Sequence, residues 1–281
     1  MKSSLLWLNH HTPQFRGKYR VTKKLHDLLL SPSGLVRVES GDALFEVAGR
    51  DHIEFRLLYF KENSPEIIAL LQQLAGEEVE IFWDVGANIG TISLPMAARF
   101  PDLHVFAFEP SPPVLARLIN NVSLNERLSE RISVIGEALS DSTGLVSFFT
   151  SNEEFNSGVG GLGTSQNRNI APVKLWSFTG DELIRDGHVP APQLIKIDVE
   201  GFELEVLSGL RDTLTKCQRM AIVFEHEIYR LEERGQPRDT VVGILRELGF
   251  EILVAEAGGR RRALEPADLD TPNDFVALKG W

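Results

Sequence analysis

A glycine-containing loop and two acidic residues are the first group whose types and spacing suggest chemistry. The run Phe82–Gly90 reads FWDVGANIG, and Glu109 ends the next apolar run, 19 residues after Gly90. Glycine allows a tight turn from strand to helix and a close approach of ligand to backbone. An acidic residue about 20 residues further on is well placed to bind a ribose diol. The pattern therefore predicts a site for a nucleoside-containing cofactor.

The same loop departs from the pattern of dinucleotide sites. It reads G-x-N-x-G, at Gly86, Asn88 and Gly90, rather than G-x-G-x-x-G. Asp84, just before the loop, would repel a pyrophosphate but attract a cation, such as the sulfonium and ammonium groups of S-adenosylmethionine. A nicotinamide-dependent oxidoreductase on a Rossmann-like fold is an alternative, and the missing third glycine argues against it.

Strands that alternate with helices must position these residues. From residue 79 onward, apolar runs alternate with amphipathic stretches, which indicates an α/β fold with a mostly parallel sheet and helices on both faces. Two extra antiparallel strands are predicted at 144–150 and 173–178. The seven strands predicted for the main sheet lie at 79–85, 104–109, 132–135, 194–199, 220–225, 250–254 and 275–278.

The first part of the chain lacks this alternation. The runs Leu35–Val38, Ala43–Val47 and Ile53–Leu58 alternate apolar and polar residues with glycine turns between them, which predicts a small antiparallel meander. Ser64-Pro65-Glu66 is typical of a helix start, with serine as the N-cap. We therefore predict an N-terminal α+β extension at 1–76 and a main domain at 77–281.

Six stretches of the chain resemble the class I S-adenosylmethionine-dependent methyltransferases and, among them, the FkbM-type family. The most specific is KIDVEG at 196–201, because the first loop is shared widely. The stretches cover about half of the chain, roughly residues 79–228, and read DVGANIG at 84–90, FEPS at 108–111, NNVSLN at 120–125, EALSD at 137–141, IKIDVEGFE at 195–203 and FE at 224–225.

The resemblance implies a class I (Rossmann-like) fold and a set of residues around S-adenosylmethionine. The glycine loop would line the methionine and ribose, Glu109 would bind the ribose hydroxyls, and Asp198 would lie beside the sulfonium. The implied cofactor-binding residues are Asp84, Gly86, Ala87, Asn88, Ile89, Gly90, Glu109, Pro110, Glu137, Ala138, Leu139 and Asp198.

Four residues at strand ends are candidates for the catalytic base. Methyl transfer to a hydroxyl group requires removal of its proton by a nearby carboxylate or histidine, which points to Asp198, Glu200, Glu225 and His226. Since alternate strand residues point to opposite faces, Glu225, His226 and Glu227 cannot all serve. A packing role for His226, or a helix-capping role for Asp198, is the structural alternative.

A metal site is not favoured. Carboxylates at adjacent strand ends could hold a divalent cation such as Mg²⁺ through oxygen ligands, but no run of residues resembles a known cage, so we assign no metal ligand. Cys217 is the only cysteine, which excludes a disulfide framework and a cysteine-ligated zinc cluster.

The glycine-rich stretch Asn156–Thr164 has two interpretations. It is either a surface hairpin or a lid over the methyl acceptor, with glycines as hinges. Acceptor specificity is expected in this region and in residues 1–76, which could alternatively mediate oligomerisation of identical subunits.

Charge and hydropathy exclude other classes of partner. The net charge of −11, from 29 basic and 40 acidic residues, opposes nucleic-acid binding. Arg260–Arg262, the one basic cluster, is predicted as a solvated hairpin turn rather than a phosphate site. The apolar runs are too short to span a membrane. Leu5–Leu8 is too short for a signal-peptide core, so a cytoplasmic location is expected.

These features favour an O-methyltransferase that acts on a hydroxyl of a small molecule, a sugar or a natural-product scaffold. A methyltransferase-like domain that only binds ligands is the alternative from another functional class. The presence of Asp84, Gly86, Gly90, Glu109 and Asp198 argues against it.

Overall fold

Among the described residues, the N-terminal part of the chain contains a hairpin and three helices. The computed structural model describes residues 9, 12, 17–29, 34–49, 51–149, 161–162 and 172–281. The antiparallel pairing of the first two strands confirms two of the three strands predicted here. The elements are α1 (Lys18–Leu29), β1 (Val36–Ser40), β2 (Ala43–Val47), α2 (His52–Phe60) and α3 (Pro65–Ala75).

The third strand predicted in this region, Ile53–Leu58, is wrong, because these residues belong to helix α2. Asp51 is the N-cap of this helix, and its carboxylate accepts a hydrogen bond from the Glu54 N–H at 2.7 Å. Phe55, Leu58 and Tyr59 are buried, and their i, i+3, i+4 spacing gives the helix its apolar face. The local alternation of the sequence concealed this helical period.

The elements of the main sheet follow in chain order with helices between them. Its strands are β3 (Ile81–Val85), β4 (His104–Phe108), β5 (Ile132–Ile135), β10 (Leu194–Ile197), β11 (Met220–His226), β12 (Glu251–Glu256), β13 (Arg260–Ala263) and β14 (Asn273–Lys279). The helices of this region are α4 (Ser93–Arg99), α5 (Pro112–Ser123), α6 (Glu126–Ser129), α7 (Gly180–Arg185), α8 (Glu203–Ser208), α9 (Arg211–Lys216), α10 (Ile228–Glu233) and α11 (Thr240–Glu247).

In the described part of the chain the main sheet has eight strands, in the order β13-β12-β14-β11-β10-β3-β4-β5. The five strands from β11 to β5 are parallel, and β14 runs antiparallel to β11. This arrangement confirms the predicted α/β class. The extra strand is β13, so the prediction of a turn at Arg260–Arg262 is wrong. The tight turn lies directly before β13, at Ala257–Gly259.

Both faces of the sheet are buried, because successive strand residues alternate between two cores. Leu194 packs in the core on the side of α3, α4 and α5, whereas Ile195 packs in the core on the side of α8, α9 and α11. The N-terminal hairpin and α2 share the first of these cores. No helix in the described part of the chain has the length and apolar character needed to cross a membrane.

A second sheet packs beside the main one. It consists of β6 (Ala138–Leu139), β7 (Gly144–Phe149), β8 (Gly161–Leu162) and β9 (Val173–Phe178), in the order β6-β9-β7-β8. The pairing of β7 with β9 confirms the two predicted extra strands. The glycine-rich stretch lies outside the described residues except for β8, so the lid stays a prediction.

Polar side chains of α5 and the residues after it attach the N-terminal hairpin to the main sheet. The Asn125 side chain accepts from Leu44 N–H and donates to Leu44 carbonyl oxygen, both at 2.8 Å. Arg117 contacts the carboxylates of Asp51 and Glu54, whose side chains are only 3% exposed. Both contacts join residues far apart in sequence.

Arg117→Met should therefore destabilise the protein. It leaves two buried carboxylates without their cation, so we expect a loss on the order of 3 kcal/mol in the free energy of unfolding. Denaturant unfolding measures this loss. Arg127→Met, at an exposed position of α6, is the matched control and should change stability by less than about 0.5 kcal/mol. An equally small effect of Arg117→Met would contradict the structural role of the cluster.

Candidate functional site

A cavity of about 300 Å³ opens at the carboxyl ends of the parallel strands. This is the edge at which open α/β sheets bind ligands. Its walls come from the ends of β3, β4, β10, β11 and β14, from the second sheet, and from the start of α3. Of the predicted site residues, those that line it are Gly86, Ala87, Asn88, Glu109, Pro110, Glu137, Ala138, Leu139, Asp198, Glu200 and Glu225.

Contacts within the protein determine the conformation of the glycine loop. Gly86 has a φ of +83°, and a Cβ atom there would lie 1.9 Å from the Asp198 carbonyl oxygen. The Gly86 and Ala87 N–H groups both donate to the Phe108 carbonyl oxygen, at 3.0 and 2.9 Å. Gly86 is thus required for three strand ends to meet. Ile89 and Gly90 are buried in the protein interior and do not line the cavity.

Glu109 joins the loop to the next strand. One of its carboxylate oxygens accepts from the Asn88 N–H at 3.0 Å, and the other from the Ser111 N–H at 2.9 Å. The side chain lines the cavity although the residue is only 7% exposed. Burial raises the pKa of Glu109 to about 7. Its charge therefore depends on pH near neutrality.

A buried lysine lies at the centre of the site. Lys196 is on β10, directly beside Asp84 on β3, and its Nζ atom lies 2.7 Å from Oδ2 of Asp198. Burial alone would lower the pKa of Lys196, but Asp198 and Asp84 outweigh burial and raise it. Lys196 is therefore a fixed cation. Lys196 is a functional residue that was not predicted from the sequence, although a lysine inside an apolar strand is a signal of such a role.

Asp84 lies beneath the cavity rather than in its wall. It is fully buried, and its Oδ2 accepts a hydrogen bond from the Ser93 hydroxyl at 2.6 Å. Within the described residues its Oδ1 has no hydrogen-bond partner, and burial raises the pKa of the carboxyl. Any influence of Asp84 on a ligand would act through Lys196.

The carboxyl groups of Asp198 and Glu225 form a hydrogen-bonded pair with unequal charge. Burial would raise the pKa of Asp198, but the Lys196 ammonium overrides it and holds this pKa below its usual range. Burial and the charge of Asp198 raise the pKa of Glu225 to about 9. At neutral pH, Glu225 is protonated and donates to the ionised Asp198.

Glu200 occupies a constrained position at the mouth of the cavity. Its φ is +54°, in the left-handed region that disfavours side chains. Oε1 of Glu203 holds this loop by accepting from the Val199 and Gly201 N–H groups at 3.3 and 3.2 Å. Burial and the charges of Glu227 and Asp198 raise the pKa of Glu200 to about 8. Like Lys196, the role of Glu203 in holding this loop was not predicted from the sequence.

His226 points away from the cavity. Glu225 lies on the cavity face of β11, so the next residue faces the opposite core. The His226 ring stacks on Phe275 at 4.9 Å between ring centroids, and a ring nitrogen lies 3.1 Å from the Leu269 carbonyl oxygen. Burial lowers its pKa. The geometry fits the packing alternative for this residue.

The acidic residues do not form a recognisable metal centre. Across the residues that the structure describes, no group of three or more histidine, cysteine, aspartate or glutamate side chains is arranged to hold a metal ion. Asp198 already contacts Lys196, and Glu200 lies 3.9 Å from Arg230.

Comparison with known proteins assigns the fold and site to a family. Residues 84–252, more than half of the chain, match the sequence profile described as Methyltransferase FkbM domain. The chain belongs to the FkbM methyltransferase family. The matched region contains every predicted cofactor and catalytic residue, from Asp84 to His226.

Relatives share part of this chain. The hexuronic acid methyltransferase AglP of Haloferax volcanii is 37% identical over 149 residues, which are 53% of this chain and 57% of that protein. The 2-O-methyltransferase NoeI of Sinorhizobium fredii is 26% identical over 64% of this chain and 75% of its own length. The 31-O-demethyl-FK506 methyltransferase FkbM of Streptomyces tacrolimicus is 27% identical over 63% of this chain and 75% of its own length. The chain thus spans little more than half of the Haloferax protein.

Replacement of Glu109 tests the ribose role predicted from the sequence. Glu109→Gln removes a charged acceptor and should weaken binding of S-adenosylhomocysteine about tenfold to a hundredfold, from a loss of roughly 1.5–3 kcal/mol. Because the carboxylate forms above a pKa of about 7, affinity of the wild type should fall as the pH decreases through 7. The variant should lose this dependence. Calorimetric titration between pH 6 and about pH 8 measures both effects.

Glu126→Gln, at an exposed position, is the matched control and should bind as the wild type does. Thermal unfolding must show that Glu109→Gln stays folded, since the amide leaves one backbone N–H without its acceptor. Wild-type affinity and pH dependence in a folded Glu109→Gln variant would refute the ribose role.

Proposed function

We propose that this protein is an S-adenosylmethionine-dependent O-methyltransferase that acts on a hydroxyl group of a sugar, a small molecule or a natural-product scaffold. The observation that carries the proposal is the contact of the Asp198 carboxylate with Lys196 at the end of a central strand, with Oδ2 2.7 Å from Nζ. Asp198 exposes 39% of its side chain at the cavity, whereas Lys196 exposes only 10%. O-methyl transfer in the names of the Sinorhizobium and Streptomyces relatives supports this assignment.

The residues of the cavity fit S-adenosylmethionine in charge and in hydrogen-bonding groups. Among the described lining residues, Lys196 is the only basic side chain and six are carboxylic acids, which suits a cationic ligand. Each Glu109 oxygen keeps a second lone pair for a ribose hydroxyl. When bound, S-adenosylmethionine supplies an electrophilic methyl group. In this arrangement Glu137–Leu139 border the adenine, and Gly86–Asn88 line the methionine and ribose.

The charges of the carboxyl groups distinguish between the candidate bases. A general base must be unprotonated before it accepts the proton of the acceptor hydroxyl. The pKa values of Glu225 and Glu200, about 9 and about 8, leave both protonated at neutral pH, whereas Lys196 keeps Asp198 ionised. We assign the role of base to Asp198. Glu225 donates a hydrogen bond to Asp198 and thereby fixes the orientation of that carboxylate.

Four residues of the N-terminal extension line the cavity, which supports a role of this extension in acceptor binding. Asn63, Ser64 and Ile67, at the start of α3, line the cavity together with Ile53 of α2. Ser64 is the N-cap of α3, but its side chain makes no capping hydrogen bond, and its φ is +48°. Its hydroxyl is therefore presented at the cavity, where an acceptor could contact it.

Replacement of Asp198 tests the proposed chemistry. Asp198→Asn keeps the shape of the side chain but removes the charge, so methyl transfer should fall by about 10²–10⁴. Calorimetric affinity for S-adenosylhomocysteine should change much less. Glu225→Gln retains a neutral side chain and should reduce methyl transfer far less than Asp198→Asn. Transfer is measured from S-adenosylmethionine to the best acceptor in a panel of glycosides.

Three outcomes would contradict parts of this proposal. A wild-type protein that binds NAD⁺ but not S-adenosylhomocysteine would be an oxidoreductase rather than a methyltransferase. Near wild-type turnover of Asp198→Asn would exclude Asp198 as the base and direct attention to Glu200 and Glu225. A parallel loss of turnover and of S-adenosylhomocysteine affinity would mean that Asp198 binds the cofactor instead.

A further inference from the structure

The order of strands separates a cofactor side of the cavity from an acceptor side. The residues assigned to the cofactor, Glu109, Gly86 and Asp198, follow β4, β3 and β10, which are neighbours in the sheet. Asp274 lies on β14, directly opposite Glu225 of β11. Adjacent strands lie about 4.8 Å apart, so Asp274 is about 10 Å further across the sheet than the strand of Asp198. The β11–β14 side is therefore the part of the cavity that the residues assigned to the cofactor leave free.

A second cavity extends the acceptor side. It has a volume of about 290 Å³ and shares Ser64, Ile67 and Asp274 with the first cavity. It continues between the start of α3 and the end of β12, where Glu66 and Glu256 line it. Asp274 is thus at the junction of the two cavities.

Asp274 and Glu66 give this junction a negative charge, whereas Glu256, further along the second cavity, lies 3.4 Å from Arg262. Among the described residues that line either cavity, Lys196 is the only basic one, and Asp198 already neutralises it. The Asp274 side chain is half-buried and, within the part of the chain that the structure describes, makes no hydrogen bond or ion pair; the Lys196 charge acts on it against those of Asp198 and Glu66. The exposed Glu66 adds a second negative charge nearby. An anionic group bound here would meet like charges with little water to screen them.

We infer that the acceptor is a polyol without negative charge near its methylated hydroxyl, and that Asp274 selects it against sugars that carry a carboxylate. This inference rests on the proposed methyltransferase function. It separates this chain from its Haloferax relative, whose name specifies a hexuronic acid. An unpaired carboxylate can accept hydrogen bonds from neutral hydroxyl groups but repels a uronate.

Matched glycosides test the inference on the full-length protein. Methyl glycosides of glucose, galactose and mannose are compared with the methyl glycosides of the corresponding uronic acids (the uronides), in which a free carboxylate replaces the C6 hydroxymethyl group. The wild type should prefer the neutral member of a pair by about tenfold or more in kcat/KM. Asp274→Asn should narrow this ratio, and Asp274→Lys should reverse it. Asp212→Asn and Asp212→Lys, at a side chain that is 74% exposed, should leave it unchanged.

The outcomes separate this inference from the proposal beneath it. Equal or better methyl transfer to the uronides overturns the inference, as does an unchanged ratio in an Asp274→Asn variant whose melting temperature matches the wild type. If the protein binds S-adenosylhomocysteine but transfers a methyl group to neither member of any glycoside pair, a sugar polyol is refuted as the acceptor. Failure to bind S-adenosylhomocysteine refutes the methyltransferase function itself.

Discussion

The site depends on one ion pair, between the buried Lys196 and the half-buried Asp198, whose Nζ and Oδ2 atoms lie 2.7 Å apart. Without the lysine, a carboxylate surrounded by Asp84, Glu225 and Asp274 would be neutralised by protonation, because burial and like charges both disfavour ionisation. With it, Asp198 stays ionised and faces the cavity. Replacing a residue in this cluster changes the charge of the others, so the acids act as a group rather than as independent ligands.

The fold creates this cluster through strand register and the alternation of strand residues. Lys196 is level with Asp84 across β10 and β3, and Glu225 is level with Asp274 across β11 and β14. Because side chains alternate, these residues share one face of the sheet, and His226 faces the other. Gly86 permits β3 to end against the Asp198 carbonyl oxygen. The N-terminal hairpin and α2 cover the same face and share its core.

The main strands, the glycine loop and Glu109 could be predicted because each has a local signal: an apolar run, a glycine that needs a positive φ, or an acid at a strand end. Two features were not predicted, one because a local pattern is ambiguous and one because it depends on a contact between strands. Residues 53–58 alternate like a strand, but the Asp51 cap and the i, i+3, i+4 apolar face make them a helix. Likewise, a register between two strands decides that Lys196 meets Asp84, and no spacing within the chain reveals that pairing.

The central claim is that Lys196 keeps Asp198 ionised, and carbon NMR of the aspartate carboxyl groups tests it most directly. The Asp198 signal is assigned by its absence in Asp198→Asn, and its pH titration is compared between the wild type and Lys196→Met, with thermal unfolding as the check that both are folded. We expect Asp198 to titrate below its usual range in the wild type and roughly two pH units or more higher in Lys196→Met. Titration at the same pH in both proteins would contradict this account of the site.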